Sequence, residues 1–143
     1  MDERKKLTAK ETFTLAFQNQ QKNNLKVAEN LYNEILKTNP NHFESIYLLG
    51  TLFTQKKNFN RSIQLLKKAV QIQPDHARTH NNLGIALISN DVKNYQEAND
   101  CFNKAIKIDP NFAEAFYNLG NMCKDENYEE AKNLYRKALK IKP

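Results

Sequence analysis

The sequence predicts an all-α fold, an α-solenoid of four tandem helix-turn-helix repeats. Three observations carry that expectation. The four prolines stand at Pro40, Pro74, Pro110 and Pro143, so they are 34, 36 and 33 residues apart. Ten residues after each of the first three lies a glycine, Gly50, Gly84 and Gly120, and these are all the glycines in the chain. Between these marks apolar residues recur at steps of three and four, the helical period. A fixed period of this size is the signature of a stacked repeat.

Aligned on the prolines, one pattern occurs four times. The first unit reads Thr12, Leu15, Ala16 and Asn19, then Ala28, Tyr32, Ile35 and Pro40. It is the weakest, because polar Thr12 and Asn19 stand where a bulky apolar residue such as Ile46 or Phe53 is usual. The second reads Ile46, Leu49, Gly50 and Phe53, then Ser62, Leu66, Ala69 and Pro74. The third reads His80, Leu83, Gly84 and Leu87, then Ala98, Phe102, Ala105 and Pro110. The fourth reads Phe116, Leu119, Gly120 and Cys123, then Ala131, Tyr135, Ala138 and Pro143.

Each unit therefore holds two helices. The expected spans are Thr8–Gln21 and Leu25–Lys37, His42–Lys56 and Phe59–Ile72, His76–Ser89 and Tyr95–Ile108, then Phe112–Lys124 and Tyr128–Ile141. Thr8 with Glu11, Asn41 with Glu44, Asn94 with Glu97, Asn111 with Glu114 and Asn127 with Glu130 have the spacing of reciprocal N-caps. Proline closes each second helix, since it lacks an amide hydrogen and restricts the residue before it. The small residues let helices approach closely. Two extra residues of the third unit fall in Ser89–Asn94, and the residue missing from the fourth falls in Lys124–Asn127. Both are turns, which tolerate length changes. The chain thus divides into a polar segment, 1–8, and a repeat domain, 9–143, with repeats at about 9–42, 43–76, 77–112 and 113–143.

Composition agrees. At 143 residues and 16.7 kDa one domain is expected. Average usage would give about 10 Gly and 7 Pro, so turn-rich β folds and glycine-loop nucleotide folds are disfavoured. No apolar run approaches the roughly 18 residues of a membrane span, and no signal-peptide core is present. Two cysteines make neither a disulfide framework nor a zinc site. A soluble, cytoplasmic protein without membrane partners is expected.

The residues show no catalytic constellation, so no enzyme activity, cofactor or metal is expected. His76 and His80, at i and i+4, lack a third ligand and read as structural, as do Cys101 and Cys123. The net charge of +6 divides as +2 (1–42), +3 (43–76), 0 (77–112) and +1 (113–143). It is dispersed, carried mostly by lysine, and densest at Lys56-Lys57 and Lys67-Lys68. Solvated helix faces explain it better than a phosphate-tracking stripe, so nucleic acid is a disfavoured partner.

The pattern of the four units resembles the tetratricopeptide repeat family over nearly the whole chain. That resemblance implies a right-handed superhelical arc whose first helices line a concave face. It places Phe13 and Phe17 of the first repeat and Tyr47 and Thr51 of the second on that face. From the third come Arg78, Asn81, Asn82 and Ile85, and from the fourth Tyr117, Asn118, Asn121 and Lys124. Asn82 and Asn118 occupy equivalent positions and resemble the asparagine ladder of the repeat arm in O-GlcNAc transferases. Thr14 and Leu48 replace them in the first two repeats. An amide can pair with a peptide backbone without reading its sequence, and the aromatic rings offer stiff contact area. The clamp that grasps a terminal carboxylate in chaperone-binding relatives is not expected, because Glu114 and Asn118 stand where its basic residues would be.

The leading expectation is a non-catalytic scaffold whose groove holds a protein or extended peptide. The alternative is the N-terminal, substrate-selecting or assembly arm of a larger enzyme of glycosyltransferase or sulfotransferase type. A nucleic-acid binder is the weaker alternative. The last helix carries Leu134, Ala138, Leu139 and Ile141 with no polar cap expected over them. A piece of a longer protein is the favoured reading of that end, and self-association through the uncapped repeat is the other.

Overall fold

The computed structural model describes residues 6–143. Of the polar segment 1–8, residues 1–5 lie outside the described residues. Eight α-helices follow one another: α1 (Ala9–Gln21), α2 (Leu25–Thr38), α3 (Phe43–Gln55), α4 (Phe59–Ile72), α5 (Ala77–Asn90), α6 (Tyr95–Ile108), α7 (Ala113–Cys123) and α8 (Tyr128–Ile141). Each end falls within one residue of expectation. The two-residue excess of the third repeat forms a single 3-10 turn, Val92–Asn94, started by Asp91, whose side chain accepts from the Lys93 amide.

Helices pair within a repeat, and each second helix packs on the first helix of the next. The first helices also approach in series, α1 to α3, α3 to α5 and α5 to α7, whereas among the described residues the backbones of the second helices stay farther apart, α4 and α6 being bridged by the side chains of Lys67 and Glu97. The array therefore bends with α1, α3, α5 and α7 on its inner side. The core is built of successive clusters, one around Ala16, Tyr32 and Leu49 and a larger one around Leu66, Leu83, Phe102 and Leu119.

The glycines mark the tightest contacts of that core, and none needs a positive φ. A Cβ on Gly50 would lie 2.9 Å from Leu66, on Gly84 2.7 Å from the Phe102 ring, and on Gly120 2.7 Å from the Tyr135 ring. Each glycine thus receives the large side chain of its own repeat's second helix. Proline works as expected: the residues before it, Asn39, Gln73, Asp109 and Lys142, have φ of −132°, −128°, −128° and −135° with ψ between 83° and 96°. The chain is turned out of the helix at each junction.

The caps need correction. Thr8 and Glu11 form the expected reciprocal pair, with the Glu11 amide donating to Thr8 Oγ1 at 3.1 Å and the Thr8 amide to Glu11 Oε2 at 2.8 Å. Asn127 accepts from the Glu130 amide at 3.1 Å. Asn41, Asn94 and Asn111 do not cap. Asn94 turns its amide to the Leu87 carbonyl, and the Asn111 backbone amide is held by Asp109. Helix α3 starts one residue late, on His42, whose Nδ1 accepts from the Ser45 amide at 3.2 Å. His76 repeats this 34 residues on, accepting from the Thr79 amide at 3.3 Å. Both imidazoles also lean on the preceding repeat, His42 on Phe13 (ring centroids 5.7 Å) and His76 on Phe43 and Tyr47 (5.1 and 5.3 Å). His80 is buried and its Nε2 donates to the Pro74 carbonyl at 2.7 Å.

Two predictions follow from these contacts. Alanine gains up to about 1 kcal/mol of helix propensity over glycine, whereas overpacking a fixed core costs about 1–3 kcal/mol. Gly84→Ala, against the buried Phe102 ring, should lower stability most in urea titration. Gly50→Ala should follow, because Leu66 is equally buried but more adaptable. Gly120→Ala should be near neutral, since Tyr135 is half-buried and can swing aside. The second concerns pH. Burial, then Arg78 and His80, hold the His76 imidazole below its ordinary 6.5, with Glu44 opposing. The unfolded chain then binds the proton more readily, so the cap's stability is present above pH 6.5 and lost as pH falls through the lower folded value. Thermal melts between pH 7.5 and 5 should show a decline that His76→Asn, a cap that does not titrate, reduces.

Candidate functional site

Helices α3, α5 and α7 present one side-chain row each to the inner surface. Tyr47, Arg78, Asn81, Asn82, Ile85, Tyr117 and Asn118 line one cleft of ≈ 390 Å³ with Phe112 and Glu114. Thr51 joins Thr54, Asn82 and Ile85 in a smaller adjoining cleft, ≈ 160 Å³. Asn118 and Asn121 continue into a third, ≈ 340 Å³, walled by Ile85, Ile88, Val92, Tyr95, Phe102 and Met122. Shared Asn82, Ile85 and Asn118 make the three continuous. Nine of the twelve expected groove residues come together this way.

The other three stand apart. Phe13 is half-buried, packed on Tyr32 and His42. Phe17 is exposed on α1, and Lys124 lies beyond the end of α7, in the shortened turn. Asn81 lines the cleft but is only 4% exposed, so its part is to hold another residue.

That residue is Asn118, whose Nδ2 donates to Asn81 Oδ1 at 2.9 Å. Asn82 Nδ2 donates in turn to the Tyr47 hydroxyl at 3.1 Å. The amides therefore form rungs between successive first helices, one from α5 to α3 and one from α7 to α5. Among the described residues no protein donor reaches Oδ1 of Asn82 or Asn118, so two carbonyl oxygens remain to accept from a ligand. Burial pushes the Tyr47 phenol above 10.0, partly offset by Arg78 and the Asn82 bond. It stays neutral at physiological pH. Arg78 and Glu114 supply one charge of each sign to the cleft.

The repeat pattern places Gln20 at an inward position of the first repeat but does not show that it is a buried polar anchor. Gln20 is buried at the junction of α1, α2 and α3. Its Oε1 accepts from the Tyr32 hydroxyl at 2.9 Å, and its Nε2 lies 3.1 Å from Thr51 Oγ1, 3.0 Å from Gln55 Oε1 and 3.3 Å from the Leu48 carbonyl. The His-x-x-Ser/Thr spacing at His42 and His76 is present in the sequence, and at His42 the neighbouring Asn41–Glu44 spacing competes with it.

Three of the four lysines at the densest basic spots are engaged internally. Lys56 pairs with Glu29 and Lys67 with Glu97, each at 2.7 Å, while Lys68 donates to the Pro40 carbonyl at 2.8 Å. Burial, with Glu97 and Asp100, pushes the Cys101 thiol up to about 11, so it remains protonated. Among the described residues no three His, Cys, Asp or Glu side chains gather as metal ligands. No described helix is long and apolar enough to cross a membrane.

Three family models match the chain. One described as anaphase-promoting complex, cyclosome, subunit 3 matches residues 18–105, one described as TPR repeat matches 93–124, and one described as tetratricopeptide repeat matches 113–143. No curated protein sequence matches significantly. Among solved structures, a MamA from Desulfovibrio magneticus RS-1 is similar at 20% identity and TM-score 0.84, over 94% of this chain and 75% of that one. Another MamA crystal structure is 29% identical with TM-score 0.79, over 90% and 74%. An O-GlcNAc transferase mutant from Thermobaculum terrenum is 23% identical with TM-score 0.82, over 94% of this chain and 26% of that one. The matches at 20% and 23% identity establish the fold.

The amide rungs make a prediction of their own. Asn81→Ala should release the Asn118 side chain and shift its Nδ2 proton resonances toward those of a solvated amide. The Asn82 resonances should hold their positions. The lost bond should cost about 0.5–1.5 kcal/mol in urea titration.

Proposed function

Because the chain belongs to the tetratricopeptide repeat family, we propose that it is a non-catalytic scaffold holding an extended segment of a partner protein along α3, α5 and α7. The observation that carries this reading is the pair of half-used amides. Asn82 and Asn118 each line the cleft, are oriented by a donated bond, and keep a carbonyl oxygen that no protein donor reaches among the described residues. A peptide backbone offers N–H donors at regular intervals, so it pairs with such acceptors whatever its side chains. The exposed ring of Tyr117 and the Tyr47 hydroxyl flank the same path. The apolar cleft beyond Asn118 suits a bulky side chain of the bound segment.

The engaged lysines support a protein partner over nucleic acid, since three of the four lysines at the densest basic spots are already bound to the chain itself. A reducing, cytoplasmic setting accords with the free Cys101 and Cys123. No cofactor enters this reading.

The test is capture with the full chain, identification of the partner, and titration of its synthetic segments. Asn82→Ala with Asn118→Ala removes two acceptors worth about 0.5–1.5 kcal/mol each. The double variant should bind about tenfold or more weakly, with circular dichroism unchanged. Equal affinity in a folded double variant would refute the groove assignment.

A further inference from the structure

The cleft between α5 and α7 differs sharply from its counterpart one repeat earlier. Thr51, Thr54, Asn82 and Ile85 line the earlier cleft, which is ≈ 160 Å³. Both of its threonine hydroxyls are spent on the chain itself, Thr51 on the Leu48 carbonyl and Thr54 on Ser62. In the later cleft the same four repeat positions carry Ile85, Ile88, Asn118 and Asn121, and the space is ≈ 340 Å³. Apolar side chains thus replace hydroxyls on one wall, and two amides stand on the other.

Two further features belong to this cleft. The inserted turn of the third repeat brings Val92 to its wall with 78% of the side chain's residue surface exposed. Val92 joins none of the core clusters, so packing within the chain does not account for it. Tyr95, at the start of α6, donates its hydroxyl to the Met122 carbonyl at 2.7 Å. That bond fixes the start of α6 against the end of α7, and the ring enters the wall with its polar end already engaged.

The two amides are complementary. Asn118 gives its Nδ2 to Asn81, and Asn121 accepts through Oδ1 from the Tyr135 hydroxyl at 2.8 Å. Among the described residues Oδ1 of Asn118 therefore meets no protein donor, and Nδ2 of Asn121 meets no protein acceptor. Three residues apart on one helix face, their Cβ atoms lie about 5–6 Å from each other. The pair keeps one acceptor and one donor beside an apolar space.

We propose that this cleft is the specificity pocket of the groove, taking one leucine-, methionine- or phenylalanine-sized side chain of an extended partner segment. Asn118 accepts from that residue's N–H, and Asn121 donates to its C=O. In an extended segment both groups of one residue point to the same side, as in a strand pair, and the side chain stands roughly perpendicular to them. A hydrocarbon chain offers neither group, which makes a peptide the occupant. A mainly apolar space with a few placed polar groups is the usual make-up of a ligand pocket. The inference rests on the groove reading and adds the residue class that the groove selects, with Ile85, Ile88 and Val92 setting that class.

The test titrates the full chain with blocked alanine pentapeptides whose central residue is leucine, phenylalanine, alanine or aspartate. Side-chain methyl and amide resonances report binding at millimolar concentration. The leucine and phenylalanine peptides should move the Ile85, Ile88 and Met122 methyls together with the Asn118 and Asn121 amides. They should bind about tenfold or more tightly than the alanine peptide, and the aspartate peptide more weakly still. Ile85→Thr with Ile88→Thr, which copies the preceding repeat, should abolish that preference. Val92→Ser, at an exposed position, should keep the helical spectrum and reduce the preference about threefold. Asn121→Ala should weaken the leucine peptide and leave the binding of hexanol, an apolar chain without amides, unchanged. A leucine peptide that moves the Asn82 and Asn118 amides but binds no better than the alanine one would overturn the pocket and leave the groove standing. Hexanol bound as tightly as the leucine peptide would overturn the peptide as occupant. If no peptide moved the Asn82 and Asn118 amides, the groove reading would fall and the pocket with it.

Discussion

The contact of a small residue on each first helix with a large one on its partner underlies the rest of the structure. Ala16 meets Tyr32 within one buried cluster, Gly50 receives Leu66, Gly84 receives Phe102 and Gly120 receives Tyr135. At Gly84 not even a methyl fits without displacing a buried ring. Helices that approach this closely exclude water from their whole shared face, and the area removed from water provides most of the driving force. No repeat buries enough apolar surface by itself, so stability comes from stacking each pair on its neighbour.

Stacking with first helices in contact and second helices apart gives the inner side its shorter path. The inner surface must then bring polar residues of successive repeats near one another. The amides of Asn82 and Asn118, and the Gln20 side chain nearer the first repeat, answer that requirement by bonding across repeats. Buried polar groups need partners, and here the partners also aim the groups. The same bonds that join repeats leave the carbonyl oxygens of two cleft-lining amides without a protein donor among the described residues. Stability and the proposed recognition surface thus share atoms.

Much of the fold could be read from the chain because its signals are local and repeated four times. Helix ends follow from proline geometry and from the apolar period, both properties of a few neighbouring residues. The caps were harder. Asn41, Asn94 and Asn111 have suitable chemistry and spacing, yet the turn after each proline moves Asn41 and Asn111 off the capping position, and Asn94, at the N-cap of α6, spends its side chain on the Leu87 carbonyl. His42 and His76 take that place at two junctions because the imidazole caps the new helix and packs on the old repeat together.

By itself the sequence determined the helices, their order, the turns that absorb length changes and the positions of closest approach, since these depend on period and residue size. Only the tertiary structure decided which groove residues are presented and which are spent inside. Asn81 and Asn82 are adjacent and chemically identical, but one is buried as an acceptor for Asn118 while the other lines the cleft with an oxygen that no protein donor reaches among the described residues. The reason is physical: hydrogen-bond partners and burial are set by groups about 35 residues away along the chain, and no local pattern records them.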